Sequence, residues 1–235
     1  MEAITVIVPN YNKGPYVKEA LDSLLRQDDP NWRAIIMDDG SSDESRCFLE
    51  SYAPLKDPRF SVHFNAERRG KAYCMNRLVE LAQTDIIGEL DSDDALADEC
   101  VKEVLKAYRA AERGFVYTNF TYCNAHLVPR GKGWCSSIPK GRTALEMDCV
   151  AHFCSFRKAA FLATGGLDEE LGSAIDKDLI CRLEEVAEPH FVDRELYLYR
   201  MLPRSLSLGP EAVQVAKQNH GIVIAKALAR RNVCV

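Results

Sequence analysis

The stretch "AITVIVPNYNKGPYVKEALDSLLRQDDPNWRAIIMDDGSSDE", residues 3–44, decides the fold. It opens on a β-branched run that ends in Pro9 and Asn10, so a buried strand gives way to a loop. Val17, Leu21, Leu24 and Leu25 then recur at helical spacing across 14–27. A second apolar run starts at 33 and ends in an acidic, Gly/Ser-rich turn by 43, where Ser42 or Asp43 is placed to cap a helix around 44–52. The alternation continues outward: strand 59–64, helix 70–83, strand 85–90, helix 98–112, strand 114–120. Alternating strands and helices imply right-handed crossovers and a mainly parallel sheet. Such sheets take ligands at the carboxyl ends of their strands.

The unusual polar groups fall at those ends: "PNYN" (9–12), "DDGSSD" (38–43) and "DSDD" (91–94). Asp91 and Asp93, two positions apart after an apolar run, are expected to aim at one side of the sheet mouth. They read as a solvated turn in which Asp94 or Asp98 caps the next helix, or as oxygens for a hard cation, Mg²⁺ or Mn²⁺. Such a cation shares its remaining positions with phosphate and water. "DDGSSD" reads as an Asx-turn with a helix cap, or as a carboxylate accepting from a base N–H or a ribose hydroxyl. Tyr11 suits packing or contact with a nucleobase, with Asn12 fixing the loop.

The 235 residues are 47% hydrophobic and 28% charged, enough for one sizeable core with a small appended element. A net charge of -5 and the lack of a basic tract argue against broad nucleic-acid binding. No apolar run reaches the roughly 18 residues of a membrane span. The N-terminus lacks a basic leader region, so a cytoplasmic protein is expected. Nine scattered cysteines without a C-x-x-C pair predict reduced thiols packed as small apolar side chains. The sequon at Asn119 carries no weight without a secretion signal. After 120 the pattern loosens into a strand and turn (121–134), a strand, short helix and Gly-Gly stop (149–166), a helix (176–187) and a strand (190–200). A last helix over 210–231 is basic toward its end, as the helix dipole prefers.

"ITVIVPNYNKGPYVKEALDSLLRQ", "AIIMDDGSSDES" and "NAERRGKAYCMNRLVELAQTDIIGELDSDDAL", in this order and spacing, strongly resemble the family 2 glycosyltransferases with the GT-A fold. The resemblance spans roughly 3–208 and is most specific in the first hundred residues. It implies an α/β fold whose Rossmann-like, mainly parallel central sheet is flanked by helices, with a smaller acceptor-side sheet region. A nucleotide-sugar-binding half (1–120) and an acceptor and catalytic half (121–208) would make up a domain over 1–208, followed by the C-terminal helix (209–235).

The implied activity is inverting transfer of a sugar from a nucleotide-sugar, a UDP-sugar by preference, to a carbohydrate or glycoconjugate hydroxyl. The resemblance places Pro9, Tyr11 and Asp39 at the nucleoside and Lys71 at the nucleotide. Asp91, with Ser92 beside it, falls near the ribose. Asp93 falls at the metal, Mn²⁺ or Mg²⁺, with Asp94 as a ligand or support. In "SAIDKDLICRL" it puts Asp176 at the base that deprotonates the acceptor, Asp178 at the next acidic position and Arg182 at the family's arginine. Helix capping is the other reading of Asp176. The Glu that usually precedes the base is Ile175 here, which bears on acceptor selection and on the acidity of the base.

Arg200 or Arg204 is a candidate for the diphosphate or for the surface, His152 for a sugar pocket or the core, and Trp134 for an acceptor sugar or the core edge. Val213, Val215, Ile222 and Ile224 with the basic "KALARR" could rest on a membrane surface or a partner, or pack on the domain itself. A nucleotidyltransferase is disfavoured because "PNYNKG" replaces the Gly-rich basic loop expected after the first strand. A non-catalytic sugar-nucleotide-binding or scaffolding subunit is the other class of reading.

Overall fold

The computed structural model describes residues 2–202 and 210–232. Arg204, Cys234 and the side chain of Val213 lie outside the described residues.

The chain begins β1 (Ile4–Asn10), α1 (Gly14–Leu25), β2 (Trp32–Asp38), α2 (Ser45–Ser51), β3 (Phe60–Phe64), α3 (Lys71–Leu81) and β4 (Ile86–Glu89). The four strands lie side by side in the order β3-β2-β1-β4 and are parallel throughout. Val6, Ile7 and Val8 point to alternate faces of β1, yet all three are buried, so both faces are covered. That burial explains why the strand reads as an uninterrupted apolar run rather than an alternating one.

The second part comprises β5 (Ala95–Leu96), α4 (Cys100–Ala110), β6 (Phe115–Cys123), β7 (Pro129–Lys132), β8 (Cys154–Arg157), α5 (Lys158–Ala163), α6 (Ile175–Val186), β9 (Pro189–Arg200) and α7 (Pro210–Asn232). β8 inserts between β4 and β6 and is antiparallel to both. β9 runs parallel to β6 and antiparallel to β5, and β7 forms a hairpin with β6. One sheet of nine strands results, parallel at the β1–β4 end and mixed at the other.

Gly88 marks the junction. A Cβ there would lie 2.1 Å from the Phe153 ring, so only glycine lets the residues leading into β8 press against β4. This contact sets His152 beside the end of β4. The cysteines follow the reading as packed thiols: seven of the eight described are buried and Cys47 is exposed, all of them free.

α7 docks on its own domain. Val223 and Ala227 are buried against Cys181 of α6. Arg230 binds Glu185 at 2.8 and 2.9 Å, Arg231 binds Glu184 at 2.7 Å, and Lys226 is ion-paired with Asp168. The basic groups toward the end of α7 are therefore paired within the chain, and of the three alternatives for this helix these contacts support packing on its own domain. No helix of the described residues is long and apolar enough to cross a membrane.

Candidate active site

The ends of β1, β2 and β4 converge on a set of carboxylates, each held by a partner distant in sequence. At the end of β2, Asp38 is fully buried and accepts from Asn10 Nδ2 at 2.8 Å, the Ser41 amide at 3.0 Å and Ser41 Oγ at 2.6 Å. It locks the two strand ends together. Asn12 accepts from the Ser42 amide at 2.8 Å, and Asp43 accepts from the amides of Gly14 at 3.0 Å and Ser45 at 2.9 Å. The acidic turn thus fastens the starts of α1 and α2, but not as the expected cap: Glu44 holds the N-cap position of α2, and neither helix has a side-chain cap.

Asp39 does different work. Its carboxylate accepts from Asn65 Nδ2 and from the amides of Arg69 and Gly70, each at 2.8 Å. Gly70 has φ of 96°, a conformation open to glycine, and that turn aims its N–H at Asp39. Asp39 therefore shapes the loop entering α3 and delivers Lys71 to the site. Tyr11 is half-buried, and the exposed Arg68 lies over its ring at 4.4 Å. The sequence reading missed Arg68 because nothing local links it to Tyr11.

Asp91 to Asp94 do not prolong the strand. They form a turn closed by the Asp94 amide donating to the Asp91 carbonyl at 3.1 Å. Lys71 Nζ reaches Asp91 at 2.6 Å and Glu89 at 2.8 Å. Burial lowers the affinity of Lys71 for its proton, but the Asp91 and Glu89 carboxylates more than offset this and hold it well above the usual lysine value. Burial pushes Asp91 up, yet Lys71 and then His152 bring it below the ordinary aspartate range. Glu89, only 5% exposed, stays raised because burial and Asp91 outweigh its lysine. Lys13, on the loop after β1, is ion-paired with Asp93. Neither Lys13 nor Glu89 was picked out from sequence; a lysine after "PNYN" and a glutamate closing an apolar strand are the only hints.

Asp94 turns inward. It is 2% exposed, and its two oxygens accept from Tyr197 Oη at 2.8 Å and the Arg200 amide at 2.7 Å. Burial first, then Asp93 and Asp91, push its carboxyl well above the usual range. Through these two bonds Asp94 fastens the turn to β9. Arg200 is likewise consumed inside. Its guanidinium donates to the Asp93 carbonyl at 2.5 Å, to the Ala125 carbonyl and to Glu19 at 2.5 Å, a correction to its expected place on a diphosphate. Asp98 pairs with Arg26 at 3.2 Å and makes no side-chain cap on α4.

On the other side lies α6. Its N-cap is Ala174, in the left-handed conformation at φ of 61°, so Asp176 sits inside the first turn and does not cap the helix. The Asp176 side chain is exposed and takes no hydrogen bond among the described residues. Burial drives the Cys154 thiol well up, and the Glu89 and Asp176 carboxylates both add to that push. Glu89 and Asp176 thus both act on one buried thiol through their charge. Asp178 is fully buried and binds Arg182 at 2.8 Å. His152 stacks on Tyr197 at 4.7 Å and Tyr199 at 5.7 Å, at the cluster's edge. Trp134 meets Phe120 edge-on and remains 45% exposed.

Among the described residues no three His, Cys, Asp or Glu side chains gather into a metal cage. The donor chemistry still suits a hard cation that takes one or two protein carboxylates and fills its sphere with phosphate and water. Asp93 offers a hard oxygen on a half-exposed turn, 17% accessible, beside Asp91.

A sheet of two halves with a charged seam across its strand ends is the architecture of the GT-A transferases. The chain belongs to the glycosyl transferase family 2, whose family model matches residues 5–164. It is 27% identical over 231 residues to a chondroitin synthase of Escherichia coli, covering 97% of this chain and 33% of that protein. It is 29% identical over 240 residues to a hyaluronan synthase of Pasteurella multocida, covering 98% of this chain and 23% of that one. The chain thus spans a third or less of the length of these two relatives. Among solved structures, S. aureus TarS in complex with UDP-GlcNAc superposes with a TM-score of 0.75 at 19% identity, over 96% of this chain and 71% of that one. The mannosyltransferase PcManGT from Pyrobaculum calidifontis, in complex with GDP-Man and Mn²⁺, gives a TM-score of 0.72 at 21% identity, over 96% and 64%. At these identities the two structures establish the fold.

Proposed function

We propose that this chain transfers a sugar, with inversion, from a nucleoside diphosphate sugar to a hydroxyl of a carbohydrate acceptor during polysaccharide or glycoconjugate synthesis. UDP is the preferred nucleotide. The observation that carries the reading is the contrast between two unlike sites. Lys71 and Lys13 sit among Glu89, Asp91 and Asp93 at the strand ends, while Asp176 is exposed in the first turn of α6 with no side-chain partner among the described residues. The first site suits a diphosphate; the second suits a proton acceptor.

In this reading Pro9, Tyr11 and Asp39 line the nucleoside end, with Arg68 above Tyr11. Asp91 and Ser92 meet the ribose. Lys71 faces the phosphates, and Lys13 can exchange Asp93 for a phosphate oxygen. Asp93 would hold Mg²⁺ or Mn²⁺, which when bound supplies positive charge to the leaving diphosphate; Asp94 supports the turn. Asp176 accepts the acceptor's hydroxyl proton as the oxygen bonds to the anomeric carbon. The bond from that carbon to the diphosphate breaks and its electron pair leaves with the nucleotide. A cytoplasmic setting belongs to the same reading, since the donor nucleotides are soluble anions.

The test is a thermal-shift panel of UDP-, GDP-, dTDP- and CMP-sugars with and without Mn²⁺, followed by turnover assays on the best donor. A metal-dependent shift with a UDP-sugar, and release of UDP on adding acceptor, are expected. Stabilisation by another nucleotide without metal would refute the nucleotide and metal assignments. Binding without turnover across a broad acceptor panel would leave a sugar-nucleotide-binding subunit instead.

A further inference from the structure

We propose that α7 is a positioning element for Asp176, clamping the segment 168–174 that presents this carboxylate. The inference rests on the reading of Asp176 as the base. The segment has no helix or strand of its own and forms the later part of the connection between α5 and α6. It ends on Ala174, a non-glycine residue held at a left-handed φ of 61°, which an isolated chain disfavours. Something must therefore over-determine its path, and α7 touches it at three points.

Lys226 is ion-paired with Asp168 at the head of the segment. Asn219 Nδ2 donates to Ser173 Oγ at 2.6 Å, directly before the strained residue. The buried Val223 belongs to the small cluster against which Leu171 and Ala174 pack. The first contact extends into α6, because the Asp168 amide donates to Asp178 Oδ2 at 3.2 Å. Arg230 and Arg231, paired with Glu185 and Glu184, fix the far end of α7 to the body of the same helix. The two ends of the arrangement are thus tied to one rigid element, with the strained turn between them. Among the described residues the hydrogen bonds and ion pairs of α7 go to this segment and to α6, so its influence is expected on the acceptor side.

A base must sit within hydrogen-bond reach of the proton it takes, and displacement by about 1 Å can cost up to ~100-fold in rate. The test compares the full chain with the double variant Asn219→Ala/Lys226→Ala, using the sugar nucleotide that the thermal-shift panel selects. The expected result is a fall in kcat of roughly tenfold with the donor KM and the affinity for UDP unchanged. Restoring a positive charge at position 226 with arginine (Asn219→Ala/Lys226→Arg) should recover part of kcat. Hydrogen exchange, which needs no turnover, should show faster exchange at amides 169–178 and unaltered exchange at the carboxyl end of α6. Wild-type kcat together with wild-type exchange would overturn the clamp. So would a parallel loss of UDP affinity, which would make α7 general support for the fold. Asp176→Asn is run alongside: if it keeps wild-type kcat, the base assignment fails, while the exchange data still decide whether α7 holds the segment.

Discussion

Lys71 and Asp91, twenty positions apart in the chain, meet at 2.6 Å where α3 begins and β4 has just ended. The pair is a bridge between two crossover units, and the buried Glu89 shares the same ammonium at 2.8 Å. Local stability, and the nucleotide binding proposed for this site, therefore rest on one lysine.

Replacing Lys71 by methionine leaves Glu89 buried without a counter-charge, a loss of about 3 kcal/mol by analogy with other broken buried pairs. Glu89 already has a raised folded value, and losing Lys71 raises it further. A carboxyl raised in the folded state gives its stability below its unfolded value and loses it as pH rises. The deficit of Lys71→Met should therefore be smallest near pH 4 to 5, roughly the unfolded glutamate range, and widen toward neutrality. Denaturant melts across pH measure it, and Lys71→Met/Glu89→Gln should remove most of the pH dependence. A constant deficit would mean that Glu89 is not the group left exposed to the loss.

Lys13 and Asp93 are ion-paired across eighty positions of sequence. An ammonium on Asp93 competes with any cation for the same oxygen. Lys13→Ala should therefore raise Mn²⁺ affinity in the absence of nucleotide by roughly twofold to fivefold, the scale of a single partly exposed charge contact of up to about 1 kcal/mol. Electron paramagnetic resonance titration of free Mn²⁺ reads this directly. An unchanged affinity would show that the pair does not hold in solution.

Asp94 links the acidic turn to β9 through Tyr197 and Arg200. Alanine there strands a buried hydroxyl and a buried amide, with an expected loss of about 3 kcal/mol. Asparagine keeps one acceptor and can donate to the Tyr197 hydroxyl, so its cost is smaller. Burial and the neighbouring Asp93 and Asp91 raise Asp94 in the folded protein. The wild type thus loses this group's stability as pH climbs above the unfolded value, while asparagine cannot. Asp94→Asn should gain on the wild type between pH 4 and pH 8, roughly the span above the unfolded aspartate value. Thermal melts at a series of pH values decide the sign.

Asp176→Asn should lower transfer by about 100-fold to 10,000-fold, the usual worth of a positioned base, with UDP affinity retained. Asp176 is exposed and holds nothing in place among the described residues, so its stability should shift by less than about 0.5 kcal/mol. Calorimetric titration of UDP beside the turnover assay separates the two quantities.

The parallel end of the sheet was legible because its signals are local. β1, β2 and β4 are short apolar runs closed by turn residues, and α1 and α3 repeat their apolar side chains at helical spacing. At the mixed end the elements themselves were legible, α4, β6, α6 and β9 among them, but their order in the sheet was not. β8 is four residues long, and nothing within "CSFR" tells it to insert between β4 and β6; Gly88 and Phe153 make that place, and they lie far apart in sequence. The same holds for individual carboxylates. Asp43 binds the first amides of two helices, one next to it in sequence and one only in packing, without taking the cap position its turn suggested. Asp91, Asp93 and Asp94 look alike in "DSDD", yet one faces Lys71, one faces Lys13, and the third is bonded within β9.

By itself, the sequence determined that strand and helix alternate, that the strand ends bear the acidic groups, and that the chain resembles one transferase family. Periodicity and turn chemistry act over a few residues, so they survive without knowledge of the fold. Only the tertiary structure decided which carboxylates open onto the site and which hold it together, that Arg200 is spent inside, and that α7 lies on α6 beside the strained turn before Asp176. Those outcomes depend on charge pairing and burial between distant segments. A carboxylate's role is set by whichever cation or amide the folded chain brings to it.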